Sequence, residues 1–358
     1  MTGPLVIDGA HGEGGGQIVR SSVAFSAMLA RPVRIENIRA GRRKPGLAAQ
    51  HVTAIRAAAA ICGARVSGDA LGSHNLEFSP RHRVRAGHYA FDVAEAREGG
   101  SAGAAGLVLQ TVLLPLALTT GDSRVAVEGG THTAWSPPFD YLDTVWLPAL
   151  HRLGVTIELR LESWGWFPLG KGCIEAMIRG RGPCRLAPVD CLERGELVEI
   201  RGRAVAANLP AHIPQRMSDR ARALLEDLRV PIRIAPLRVR AACAGAGIFL
   251  TAVYQHVRCG FSALGARGKS SETVAEDAVA ALLSHHRSGA ALDLHLGDQI
   301  LAALAFSHGP SSFSVESVTR HLRTNAWLIE QFGLARTVLE IADNDVGFVR
   351  ISPQPDRA

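Results

Sequence analysis

Ile7-Asp8-Gly9-Ala10-His11-Gly12-Glu13-Gly14-Gly15-Gly16-Gln17-Ile18-Val19-Arg20 joins two kinds of local structure. The apolar run Leu5 to Ile7 reads as a strand that stops at Asp8-Gly9. Gln17 opens an amphipathic run, Ile18 to Leu29, that reads as a helix. Between them lie five glycines within eight residues, with a single acid, Glu13, among them. Strand, glycine-rich turn and helix start together aim backbone N–H groups at a phosphate. A carboxylate inside the turn suits a metal ion or a polar ligand group. A tight turn that uses glycine for positive φ accounts for the same residues without any ligand. The spacing is neither Gly-x-Gly-x-x-Gly with a distant acid nor Gly-x-x-x-x-Gly-Lys-Ser/Thr, so neither standard nucleotide fingerprint applies.

The strand–helix unit recurs along the chain. Gln17-Ile18-Val19, Gln110-Thr111-Val112 and Gln299-Ile300-Leu301 each open an apolar helix. Each helix leads to a short strand (32–38, 124–128, 312–318), a polar loop and a second helix that ends at Gly63, Gly154 or Gly333. A further strand follows in each case. Between the second and third copies the pattern breaks, and residues 185–288 carry strands and two helical stretches of their own. This predicts an α/β (α+β) protein whose large domain comprises 1–184 and 289–358, with a smaller inserted α/β domain over 185–288.

Length and composition agree with a soluble globular protein: 358 residues, 47% hydrophobic and 20% charged. No apolar run is long enough to span a bilayer, and nothing near the N-terminus resembles a signal peptide, so no membrane is expected. The formal charge of +6 is compatible with an anionic partner. Nearly all the positive charge is arginine; Lys44, Lys171 and Lys269 are the only lysines. Six cysteines without a Cys-x-x-Cys pair read as reduced thiols of a cytoplasmic protein without structural zinc.

Two further stretches carry candidate chemistry. Arg39-Ala40-Gly41-Arg42-Arg43-Lys44-Pro45-Gly46 places four basic residues in a loop ahead of a helix, with Gln50 in that helix's first turn. Guanidinium groups so placed suit an anion. Glu98 to Gly106 is a second small-residue turn, feeding a helix whose conspicuous polar residue is Gln110. In the third copy, Val318 to Asn325 runs into a helix with His321 at the repeat position that holds the Arg42 loop in the first.

Taken in order, these motifs resemble the RNA 3'-terminal phosphate cyclase family over nearly the whole chain: Asp8 to Gln17, Ile38 to Leu47 with Gln50, Leu107 to Gln110, Gly129-Gly130-Thr131 with Pro137-Pro138, Asp298-Gln299, and His321 to Asn325. The resemblance implies three βαβαββ repeats plus an inserted small domain. It implies an ATP-dependent reaction in which a histidine is adenylylated, AMP passes to an RNA 3'-phosphate, and the 2'-OH closes a 2',3'-cyclic phosphate. Carried over by motif, His321 is the nucleophile, and Glu13 contacts ATP and a divalent metal, Mg²⁺ or Mn²⁺. Gln17, Gln110, Asp298 and Gln299 belong to the nucleotide site, Pro137 lines the adenine pocket, and Arg20, Arg39, Arg42 and Gln50 hold phosphates or the RNA end. The chain departs from the family pattern at Trp164 and Lys171, in a Gly-rich loop that usually begins with Arg or His, and at His295, usually an aromatic. Non-catalytic relatives that bind RNA lack the histidine, which is present here. Enolpyruvyl transferases share the repeat architecture but need no His321. No oligomeric state follows from the sequence.

Overall fold

A computed structural model of the protein describes residues 3–96 and 101–354. The first unit runs β1 (Leu5–Asp8), α1 (Gly16–Leu29), β2 (Val33–Glu36), α2 (Ala49–Cys62), β3 (Arg65–Ser67) and β4 (Leu76–Ser79). The second runs β5 (His88–Asp92), α3 (Ala105–Ala117), β6 (Ser123–Gly129), α4 (Phe139–Tyr141), a π-helical turn (Leu142–Trp146), α5 (Leu147–Arg152), β7 (Thr156–Ser163) and β8 (Gly172–Arg179). A two-residue strand, β9 (Asp190–Cys191), precedes the insert. The insert comprises β10 (Leu197–Ala207), α6 (His212–Leu225), β11 (Ile232–Val239), β12 (Gly245–Tyr254), β13 (Arg258–Leu264) and α7 (Ser271–Ser288). The chain closes with α8 (Leu296–Leu304), β14 (Ser311–Val315), α9 (Arg320–Gln331), β15 (Ala335–Ile341) and β16 (Gly347–Pro353).

Three of the four sheets share one topology, β1-β2-β4-β3, β5-β6-β8-β7 and β9-β14-β16-β15. In each, the first two strands are parallel and the other pairings antiparallel. A parallel pair needs a crossover, which the first helix of each unit supplies. One core runs through all three, with Ile18 and Val23 of α1, Ile55 of α2, Val108 and Val112 of α3, Leu301 of α8 and Leu328 of α9 in it. The insert has its own core, built on Ile200, Met217, Ile248, Val274 and Leu282. A small aromatic cluster, Trp166 with Val205, Ala207 and Phe249, seats it against the second unit.

The boundary at 185 differs from the expectation. Residues 185–191 run beside the third unit: Leu186 bridges Ser307, and Asp190–Cys191 pairs in parallel with Ser312–Phe313. The fourth sheet begins at Leu197. Two residues are too few to display a period-two pattern, so only the partner strand reveals β9. The strands β4, β8, β13 and β16 likewise become distinct only through their antiparallel partners. Part of the second small-residue turn, Glu98 to Gly100, lies outside the described residues. None of the described helices is long and apolar enough to cross a membrane.

Candidate functional site

The glycine turn meets α8 and α9, so the site forms where the first unit touches the third. Gly12 has φ +60° and its α-carbon lies against the Thr324 side chain, leaving no room for a β-carbon. Thr324 Oγ1 accepts the Glu13 N–H at 3.0 Å and donates to Arg320 O at 2.7 Å. The turn is thereby pinned to α9 across most of the chain's length. The Glu13 carboxylate folds back over Gly15, where any side chain would collide with it. No side chain caps α1, so its first N–H groups are not taken up by one.

His321 is the second residue of α9, whose N-cap Thr319 accepts the Leu322 N–H at 3.0 Å. Its structural counterpart in the first unit is Gln50, the second residue of α2, and not the Arg42 loop. The connection 37–48 that carries the basic loop is far longer than 316–319, so the loop has no equivalent in the third unit. The His321 Nδ1 lies 2.6 Å from Gln17 Oε1, and Gln17 Nε2 donates to Asp298 Oδ2 at 3.4 Å. An amide oxygen only accepts, so Nδ1 carries the proton and Nε2 holds a lone pair. Nε2 lies 3.9 Å from Glu13 Oε1. Desolvation holds the imidazole below its ordinary 6.5, and Arg20, Arg42 and His295 lower it further. The ring is neutral at pH 7.

The basic residues divide by role. Arg42 forms an ion pair with the Glu13 carboxylate and donates to Glu13 O at 3.1 Å. Arg39, itself at φ +54°, donates to Gly46 O at 2.6 Å and holds its own loop closed. Burial lowers the Arg20 guanidinium to about 10, opposed by the Asp298 carboxylate. The carbonyl of Gln50 accepts the Ala104 N–H at 2.9 Å, which leaves its amide nitrogen as the donor it can offer a phosphate. Gln110 lies in the second turn of α3 rather than at its start, and donates to Gln299 Oε1 at 2.9 Å. Pro137 enters none of these bonds. It precedes Pro138, which lines a crevice between the second unit and the insert with Tyr141, Phe249 and Phe261.

Four residues that position the site escape a reading by motif role. Asp293 is buried and caps α8 by accepting from His295 N and Leu296 N. It also accepts from Tyr141 Oη of the second unit and Gly260 N of the insert. Asn325 donates to Asp298 O at 2.8 Å. Thr324 fixes the glycine turn. His51 is buried between Arg20 and Arg39; burial first, then those two cations, bring it down to about 3, so it is a neutral spacer. The sequence signal for two of them is the His321 to Asn325 stretch, which contains Thr324 and Asn325.

Burial raises the Asp298 carboxyl from 3.8 to about 7, against the hydrogen bond from Gln17 that lowers it. A raised carboxyl costs nothing below about pH 3.8, where folded and unfolded chains are both protonated, and costs stability increasingly as pH rises to about 7. Asp298→Asn is therefore expected to unfold at higher temperature than the parent at pH 8. The gain is about 1–2 kcal/mol after allowance for solvent at this partly exposed group, and it vanishes near pH 4. Melting curves across that range check this, and a pH-independent difference would show that the carboxyl ionises freely.

The donor set fits a hard cation in one respect: the Glu13 Oε2 is buried without a hydrogen-bond partner. Among the described residues no group of three or more His, Cys, Asp or Glu side chains gathers as a metal cage. A single carboxylate that shares its ion with ligand phosphates and water is the arrangement common for Mg²⁺.

The chain matches the family model described as RNA 3'-terminal phosphate cyclase over residues 11–338. It is 57% identical over 351 residues to the RNA 3'-terminal phosphate cyclase of Methylococcus capsulatus, covering 98% of this chain and 97% of that one. Identity is 50% over 339 residues with the protein of the same name from Gloeothece citriformis, covering 95% and 96%. It is 40% over 328 residues with that from Archaeoglobus fulgidus, covering 92% and 95%. Among solved structures, the enolpyruvyl transferase NikO from Streptomyces tendae aligns with a TM-score of 0.37 at 14% identity, over 98% of this chain and 48% of that one, a likeness too weak to carry a conclusion.

Proposed function

The chain belongs to the RNA 3'-terminal phosphate cyclase family, and from that premise we propose that it converts an RNA 3'-terminal phosphate to a 2',3'-cyclic phosphate at the expense of ATP, through adenylylated His321. The observation that carries this reading is the geometry of His321: protonated at Nδ1 on Gln17, neutral, and with the Nε2 lone pair turned toward Glu13 among Arg20 and Arg42.

In the first step Nε2 attacks the α-phosphorus of ATP. A P–N bond forms, the bond to pyrophosphate breaks, and pyrophosphate leaves. A phosphate oxygen of the RNA end then takes the AMP group from His321, which restores the imidazole. The 2'-OH attacks the 3'-phosphorus, loses its proton, and AMP departs. Covalent catalysis divides one difficult condensation into easier displacements. Gln17 keeps Nδ1 protonated while charge builds on the ring, and Asp298 orients Gln17. Arg20 and Arg42, with the Gln50 amide and the N–H groups of α1, hold the phosphates. A divalent ion on Glu13 and the ATP phosphates would offset the charge that develops on pyrophosphate. The six thiols, none of them in a disulfide, fit the reducing cytoplasm as the setting.

The test is direct. A 3'-phosphorylated RNA given with protein, ATP and Mg²⁺ or Mn²⁺ should gain an end that phosphatase no longer removes, with one AMP released per end. Phosphatase-sensitive RNA at every ATP concentration would refute the reading.

A further inference from the structure

Two aromatic side chains, on neighbouring loops that are hydrogen-bonded back to the site, are held out to solvent. The Trp135 side chain is fully exposed, on a backbone at φ +65°, and Phe167 is 75% exposed. Neither sits on a loose loop. The loop 130–138 is tied to the loop 164–171 by Thr131 N and His132 N donating to Gly165 O at 2.9 and 3.0 Å, and by Gly165 N donating to Thr131 Oγ1 at 2.9 Å. Gly170 N closes the second loop on Trp166 O at 2.7 Å. Underneath, His132 stacks on Trp164 and Trp166, with ring centroids at 4.5 and 5.0 Å. The loops that carry the exposed rings are thus anchored on a packed aromatic cluster, although a tryptophan gains nothing for the fold by facing water.

Two further observations say what covers them. Cations belong to the same loop region: Lys171 ends the turn that carries Phe167, and Arg240 precedes Ala241, which bridges Trp164 at that loop's start. The loop is also continuous with the site, since Gly130 N donates to Gly103 O and the neighbouring Ala104 N donates to Gln50 Oε1. Exposed aromatic faces with cations near a phosphate site are how single strands of nucleic acid are held, by base stacking that every base permits. We propose that Trp135 and Phe167 form a stacking platform for the unpaired nucleotides of the RNA that lead to its 3'-phosphate. This rests on the function proposed above. It adds that the protein selects single-stranded ends of several nucleotides over the shortest ones.

The variants are Trp135→Gly, which suits the left-handed backbone, and Phe167→Leu, which keeps bulk and removes the ring. Both positions are exposed, so the fold should survive. A single-stranded RNA of about fifteen nucleotides lacking a 3'-phosphate is the binding probe. It should quench tryptophan fluorescence of the full-length parent, and the double variant should bind it about tenfold more weakly. In cyclisation, the KM for a 3'-phosphorylated RNA of the same length should rise by a similar factor. The kcat, the KM for ATP, and all constants for a 3'-phosphorylated dinucleotide should stay at parent values. Equal RNA affinity in parent and double variant overturns the proposal. So does a rise confined to the KM for ATP, which would assign the rings to adenine, or a change of oligomeric state on sizing, which would assign them to a second copy. A parent that binds the probe through these rings yet cyclises nothing refutes the cyclase reading and leaves the platform standing.

Discussion

Replacing His321 with alanine should abolish the covalent AMP band that α-labelled ATP and metal produce on the parent protein, a fall in adenylylation rate of about a thousandfold or more. The effect is large because no other group in the cluster can replace the lone pair on Nε2. The side chain is 50% exposed and sits in the first turn of α9, where Thr319 already supplies the cap. Alanine or asparagine should therefore leave the fold and ATP binding largely intact. The competing nucleophile would be a lysine. Lys269 lies in the insert, paired with Asp277 at 2.5 Å. Lys44 sits in the basic loop and Lys171 in the turn beside Gly170. Acid lability cannot separate the two chemistries, since phosphoramidates on histidine and on lysine share it, whereas substitution can. Given chemically adenylylated RNA 3'-phosphate, the His321→Ala protein should still close the ring to some extent, because that step needs positioning and the 2'-OH but no new nucleophile. A covalent adduct at the parental rate would send the search to the lysines.

Glu13→Ala should lower the adenylylation rate by about ten- to a hundredfold at limiting metal and move the metal titration to higher concentration. The Glu13 side chain is only 12% exposed, its Oε2 has no hydrogen-bond partner, and its other oxygen is shared between Arg42 and the neighbourhood of His321 Nε2. A buried anion with spare coordination is costly unless a cation completes it. Arg42 supplies that cation in this arrangement, and a metal on the ATP phosphates would have to share or displace it. Arg42→Lys keeps the charge but loses the planar fork that meets two phosphate oxygens at once. It should lower turnover about tenfold with little change in the metal midpoint. An unchanged metal titration for Glu13→Ala would reduce the residue to a shaper of the turn.

Much of this site is written locally. The strand, glycine turn and helix of residues 5–29 follow from a hydrophobic pattern confined to that stretch, and the structure retains all three. The threefold recurrence of helix, strand, helix and strand is equally local, and its three sheets have one topology. Charge and turn chemistry single out Glu13 and Arg42, and the structure joins the two in an ion pair. Features whose meaning depends on a partner are not legible in this way. The equation of His321 with the Arg42 loop failed because connection lengths differ between repeats, and β9 was hidden because two residues show no period.

What the sequence by itself determined is therefore the kind of chain this is: α/β repeats with an insert, a glycine turn holding one carboxylate, a basic loop and a histidine at a helix start, all set by residues within a turn or two of one another. What tertiary structure alone decided is which of these groups meet and in what state. Gln17 reaches Asp298 and His321 across separations of 281 and 304 residues, and Asp293 gathers the second unit, the insert and α8. The Gln17 contact chooses the tautomer of His321, while burial raises Asp298 and, with Arg20 and Arg39, keeps His51 neutral. These states depend on burial and on direction in space, whereas the sequence encodes order along a line. Desolvation and hydrogen-bond geometry come into being only when the first and third units close on each other.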